Sequence, residues 1–117
     1  MTRNSREFFR VFFKKPIPGE ILRKGMDSLT VDIENVSAGG LAFVSPNNVM
    51  VGDTVECSFN ILNNGFLLEG MIVRKSKIAD SFEYGVGFTV DQGTSSELFK
   101  ELNYYQIRLR KGTLIEE

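Results

Sequence analysis

The chain reads as a mainly all-β protein, a small antiparallel barrel of six or seven short strands followed by one C-terminal helix. Three observations predict this. Apolar and polar residues alternate in several short runs, as half-buried strands require. Turn-forming residues interrupt those runs at close intervals, Asn63-Asn64-Gly65 being the clearest case. After Gly93 the apolar spacing changes from two to three or four, the period of a helix. With 117 residues the chain has the length of one compact domain.

The first element is Phe8 to Phe13, dense in aromatic and β-branched residues that favour extended backbone. Pro16 and Pro18-Gly19 are expected to break it. Leu29 to Glu34 alternates strictly, Asn35 to Gly40 is a turn-rich segment, and Leu41-Ala42-Phe43-Val44 begins again as a strand. Turns follow at Asn47-Asn48 and Gly52-Asp53. Val55, Cys57, Phe59 and Ile61 then share one face, with Cys57 pointing inward. Asn-Gly tolerates the positive φ of a tight hairpin, so Asn63-Asn64-Gly65 should return the chain along Phe66 to about Lys75. Asp80-Ser81 turns it once more, and Phe82 to Val90 is the last strand. Gly85 and Gly87 within it mark a bulge or the bend of a closed sheet. Thr94-Ser95-Ser96-Glu97 has the form of a capping box. Leu98, Leu102, Tyr105 and Leu109 follow at helical spacing, and Gly112 is the expected stop.

Composition narrows the function. The chain has no histidine, which removes His-based acid–base catalysis, Cys–His nucleophiles and the usual zinc sets. Cys57 is its only cysteine, so no internal disulfide forms. The carboxylate pairs Asp32 with Glu34 and Glu116 with Glu117 read as solvated surface charge, and the chain is not expected to be an enzyme. No apolar run approaches the length of a membrane span, and no signal-peptide core follows the charged N-terminus, so a cytoplasmic location is expected.

Net charge is −1, yet it is unevenly spread. Residues 1–24 hold seven Lys or Arg against two Glu, a balance of +5; the remainder holds seven basic against thirteen acidic residues, a balance of −6. A basic arm on an acidic body suggests a confined anion site. The alternative is a solvated N-terminal tail. The acidic body argues against a general nucleic-acid binder.

Two motifs carry the chemistry. Arg6-Glu7-Phe8-Phe9-Arg10 is an R-x-x-x-R sequence at the entry to the first strand. Asn35-Val36-Ser37-Ala38-Gly39-Gly40 is an N-x-S-x-x-G sequence after an alternating strand. In this order, with Leu41-Ala42-Phe43, Gly70-Met71-Ile72-Val73-Arg74 and Tyr84-Gly85-Val86-Gly87-Phe88 behind them, they resemble the PilZ domain family over nearly the whole chain. That resemblance implies a six-stranded antiparallel barrel of PilZ type with a C-terminal helix, spanning 1–117 as a single domain. Residues 1–10 would be a flexible ligand-binding arm, 11–92 the barrel and 94–111 the helix. It further implies a receptor that binds cyclic di-GMP, needs no other cofactor or metal, and signals to a protein effector. That effector could be flagellar, a polysaccharide synthase or a regulator.

The resemblance assigns the ligand site to Arg6, Arg10, Asn35, Ser37, Gly39 and Gly40, with Arg74 as a further candidate. The residue types suit this ligand. A guanidinium forks onto phosphate oxygens, stacks on bases and matches the O6 and N7 acceptors of guanine. Asn35 and Ser37 would meet the guanine edge or nearby backbone, and Gly39 and Gly40 would let the ligand approach the chain. Each has a plainer reading: Asn35 as a turn cap, the glycines as turn formers, the arginines as surface charge. At Ser5 the family often has a further arginine. Two other functions fit parts of the pattern: a PilZ-like interaction module that does not bind nucleotide, and an OB-like or SH3-like barrel for single-stranded nucleic acid.

Overall fold

The computed structural model describes residues 9–112. Six strands follow in chain order: β1 (Arg10–Arg23), β2 (Leu29–Ser37), β3 (Gly40–Ser45), β4 (Thr54–Ile61), β5 (Asn64–Ile78) and β6 (Ser81–Phe88). One helix, α1 (Gln92–Arg110), follows them among the described residues. The strands close into a barrel in the order β1-β2-β3-β6-β5-β4, with every neighbouring pair antiparallel. The predicted six-stranded barrel with a C-terminal helix is thus the observed fold. Among the described residues no helix is long and apolar enough to cross a membrane.

Alternation fills the barrel. Val55, Cys57, Phe59 and Ile61 of β4 point inward as expected, and Val31, Ile33, Phe43, Ile72 and Val86 meet them from the other strands. Burial pushes the Cys57 thiol up to about 12. Native protein at pH 8 should therefore leave a colorimetric thiol reagent unreacted, and react fully once denatured. Reaction at the rate of a free thiol in the native state would contradict the burial.

β1 departs from the sequence reading. Pro16 and Pro18 do not end the strand; they displace its register. Phe12 pairs with Asn35 and Ile17 with Ile33, so β1 carries three more residues than β2 across this interval. Pairing of β1 with β4 starts only at Gly19. The prolines, which lack an N–H, therefore occupy a stretch bonded on one side, where a missing donor is tolerated.

Both tight hairpins of the β4–β5–β6 meander also differ in detail. Ile61 pairs with Asn64, so Leu62 and Asn63 form the turn and Gly65 sits in the ladder opposite Asn60. Leu62 has φ +57° and Ala79, in the β5–β6 turn, has φ +47°, so non-glycine residues bear the left-handed backbone.

Helix α1 begins earlier than the capping box suggested. Asp91 is its N-cap and accepts from the Thr94 backbone amide at 2.7 Å, which places Thr94 inside the first turn. Asp and Thr are both good caps, and Asp91 comes first along the chain. Leu98, Leu102 and Tyr105 are buried by the helix, and Tyr105 meets Phe13 of β1 edge-on at 5.6 Å. Each buried leucine contributes about 1.5–3 kcal/mol.

The segment 46–53 carries the chain from β3 across to β4. Tyr84 of β6, fully buried and stacked on Phe43, anchors it. Its hydroxyl donates to the Asn47 carbonyl at 2.7 Å and accepts from the Val49 amide at 2.8 Å. Tyr84→Phe keeps the ring and leaves both backbone groups unpaired, so a loss of about 1–3 kcal/mol is expected in urea denaturation. An unchanged midpoint would refute the anchoring role.

Candidate functional site

Strand register builds the site. Phe12 pairs with Asn35, Asn35 with Ala42, Ala42 with Gly85, and Gly85 with Arg74. A second row runs Arg10, Ser37, Gly40, Gly87, Met71. Between the two lies Val11, Val36, Leu41, Val86, Ile72, all buried in the barrel. Two rows thus cross five strands, with small residues near the middle and large ones at the ends.

The result is a trough of about 420 Å³. Arg10 and Phe12 form one wall, Val73 and Arg74 the other, and Gly40, Gly85 and Gly87 the floor. A one-residue bulge makes the second wall. Ile72 pairs with Val86 and Arg74 with Gly85, so Val73 is an extra residue. Plain alternation would turn Arg74 inward after the exposed Val73; the bulge restores it to the surface. Arg74 then lies against Gly85, where a Cβ would stand only 3.1–3.3 Å from its side chain.

The two arginines are held differently. Arg10 Nη1 donates to Asn35 Oδ1 at 2.6 Å, so Asn35 aims a guanidinium and does not cap its own turn. Arg74 Nη1 lies 3.6 Å from Glu83 Oε1. Burial, and then the positive charge of Arg74, draw the Arg10 guanidinium below its ordinary pKa. Two like charges share this trough, an arrangement that an anion between them relieves.

The N-x-S-x-x-G segment is more regular than the sequence suggested. Asn35, Val36 and Ser37 belong to β2, Gly40 opens β3, and only Ala38 and Gly39 form the turn. Ser37 is fully buried; its hydroxyl accepts from the Gly39 amide at 3.1 Å and approaches the Gly40 carbonyl at 3.5 Å. Ser37 therefore fixes the corner and does not line the trough. Gly40 has a packing reason for lacking a side chain, because a Cβ there would run into the Val86 carbonyl oxygen.

Of the seven residues assigned from sequence, Arg10, Asn35, Gly39, Gly40 and Arg74 meet in one trough, Ser37 supports it from within, and Arg6 lies outside the described residues. Sequence reasoning passed over Phe12 and Val73. Both are apolar and well exposed, at 69% and 58%. Phe12 was accessible to alternation, being two residues from Arg10 on the same face. Val73 owes its place to the bulge, which has no local sequence signal. A second cleft of similar volume, lined by residues such as Leu22, Arg23, Met26 and Val55, contains neither motif.

The family model for the PilZ domain matches residues 4–104. The chain belongs to the PilZ domain family. Solved structures share its fold at low sequence identity. YcgR from Escherichia coli in complex with c-di-GMP superposes with a TM-score of 0.76 at 14% identity, over 94% of this chain and 50% of that one. The PilZ domain of YcgR with c-di-GMP gives 0.69 at 14%, over 95% and 100%. MrkH of K. pneumonia in its apo state gives 0.71 at 12%, over 96% and 55%. The chain thus spans about half the length of full YcgR. No curated protein sequence matches it.

Proposed function

We propose that this PilZ chain is a receptor for cyclic di-GMP, bound in the trough between Arg10 and Arg74. The supporting observation is the pair of guanidinium groups facing each other across a floor of glycines, with Phe12 and Val73 beside them. Cyclic di-GMP presents two phosphates and two flat purines. Guanidinium forks suit the phosphates and the Hoogsteen edge of guanine, and the apolar walls suit a base face. Both YcgR structures were determined with this same ligand.

Arg6 supplies a further cation in this reading, from the arm that precedes β1. Ligand-dependent placement of that arm alters the surface offered to a protein effector in the cytoplasm, and so transmits the signal.

Isothermal titration of the purified chain with cyclic di-GMP tests the reading. Binding at low micromolar Kd or tighter is expected. Ser37→Ala removes the acceptor for the Gly39 amide, loosens the corner and should weaken binding about fivefold. No heat from wild type at high ligand concentration would favour a PilZ interaction module without nucleotide. Loss of affinity to unrelated single strands as salt rises would mark a nucleic-acid binder instead.

A further inference from the structure

The second cleft lies on the outer face of β1, β4 and β5 and encloses about 420 Å³. Register places a cross-strand row along it: Leu22 of β1 pairs with Glu56 of β4, and Glu56 with Glu69 of β5. Both glutamates are exposed and stand directly opposite each other on neighbouring strands. Like charges in that relation destabilise a sheet. Among the described residues neither carboxylate has an ion-pair partner, although Lys24 lines the same cleft. Glu20, two residues back along β1, adds a third exposed carboxylate to this face, opposite Ser58.

Two further features belong to the cleft. Leu22 and Met26 give it an apolar side, and Met26 is 63% exposed. Arg23, another lining residue, has its Nε shielded from solvent with no hydrogen-bond partner among the described residues. Buried donors left unpaired are rare in folded proteins and call for an acceptor.

We propose that this cleft is the docking site for a segment of a protein effector in which basic and apolar side chains are mixed; this rests on the reading that the chain acts through a protein partner. A Lys or Arg of the segment lies between Glu56 and Glu69 and removes their repulsion. An apolar side chain packs on Leu22 and Met26, and a backbone carbonyl accepts from Arg23 Nε. A carbonyl suits that donor better than a carboxylate does, because the two glutamates repel an acidic group in the same cleft. They repel nucleic acid and an anionic membrane for the same reason.

The place of the cleft matters for signalling. Thr54 lines it and pairs with Met71, and Met71 pairs with Gly87 in the floor of the trough. Met71 and Val73 are both exposed, so apolar surface continues from the cleft to the wall of the trough. A segment that runs on over Met71 meets whatever fills the trough.

The whole chain is titrated with labelled ten-residue peptides that mix Lys and Arg with Leu, and with the same peptides carrying Glu at every basic position. At low ionic strength the basic peptides should bind with a Kd of about 100 μM or tighter, and the acidic ones not at all. Amide NMR shifts should fall on residues 22–28, 54–56 and 69. Glu56→Lys sets opposite charges across from each other, so its urea midpoint should rise while affinity for the basic peptides falls about tenfold or more. Its affinity for cyclic di-GMP should stay that of wild type, since Glu56 lies outside the trough. Unchanged peptide binding by Glu56→Lys, shifts that map elsewhere, or equal binding of the acidic peptides overturns the proposal. So does a failure of every basic peptide to bind. A wild-type dimer in sedimentation that Glu56→Lys disperses assigns the face to a second copy, and overturns it too. Wild type that takes a basic peptide in the cleft yet no cyclic di-GMP strikes the receptor reading alone and upholds the docking site.

Discussion

Arg10→Ala should weaken cyclic di-GMP binding by about a hundredfold while leaving the melting temperature within a few degrees. Losing one partner of a desolvated charge pair costs about 2–5 kcal/mol, and each 1.4 kcal/mol is a factor of ten. Arg10 is half-buried, is already aimed by Asn35, and stands against the like charge of Arg74. Nothing in the core depends on it: its β1 neighbours Val11 and Phe13 carry the packing. Arg10→Lys should recover little, since an ammonium lacks the planar fork and the stacking face. Titration calorimetry of the three proteins decides the matter. An Arg10→Ala variant that binds within threefold of wild type would remove Arg10 from the site.

Gly40→Ala should destabilise the fold by about 3 kcal/mol. A methyl group there would overlap the Val86 carbonyl oxygen, which belongs to the β3–β6 ladder and cannot swing aside as a side chain can. The strands must part locally, and they carry the floor of the trough. Gly85→Ala is the informative contrast. Its methyl would meet only the side chain of Arg74, which can move. That variant should fold with nearly native stability and bind the ligand more weakly, because Arg74 is displaced. Urea denaturation and calorimetry of both variants separate the two roles. Equal stability of Gly40→Ala and wild type would show that β3 and β6 do not approach as closely as described.

Much of the architecture was legible because period-two patterning is a direct statement about which face is buried. β4 is the clearest example: Val55, Cys57, Phe59 and Ile61 were assigned inward and are inward. What escaped was whatever depends on pairing between distant segments. The prolines of β1 looked like a terminus, since local propensity says nothing of a neighbour that begins only at Gly19. Asp91 escaped as a cap because Thr94-Ser95-Ser96-Glu97 offered an equally good local signal.

The site shows the same division. Arg10 and Asn35 were found through motifs 25 residues apart, and the structure joins them in one hydrogen bond. The exposure of Arg74 depends on a bulge, and Ser37 serves the corner. Sequence names residue types suited to an anion; register decides which of them share a face.

β6 reaches both ends of the machine. Gly85 paves the floor of the trough, while Tyr84, one peptide bond away, faces inward to grip the crossing segment at Asn47 and Val49. Adjacent residues of an extended strand cannot tilt separately. The floor of the trough and the anchor of the crossing segment are therefore built on one and the same strand.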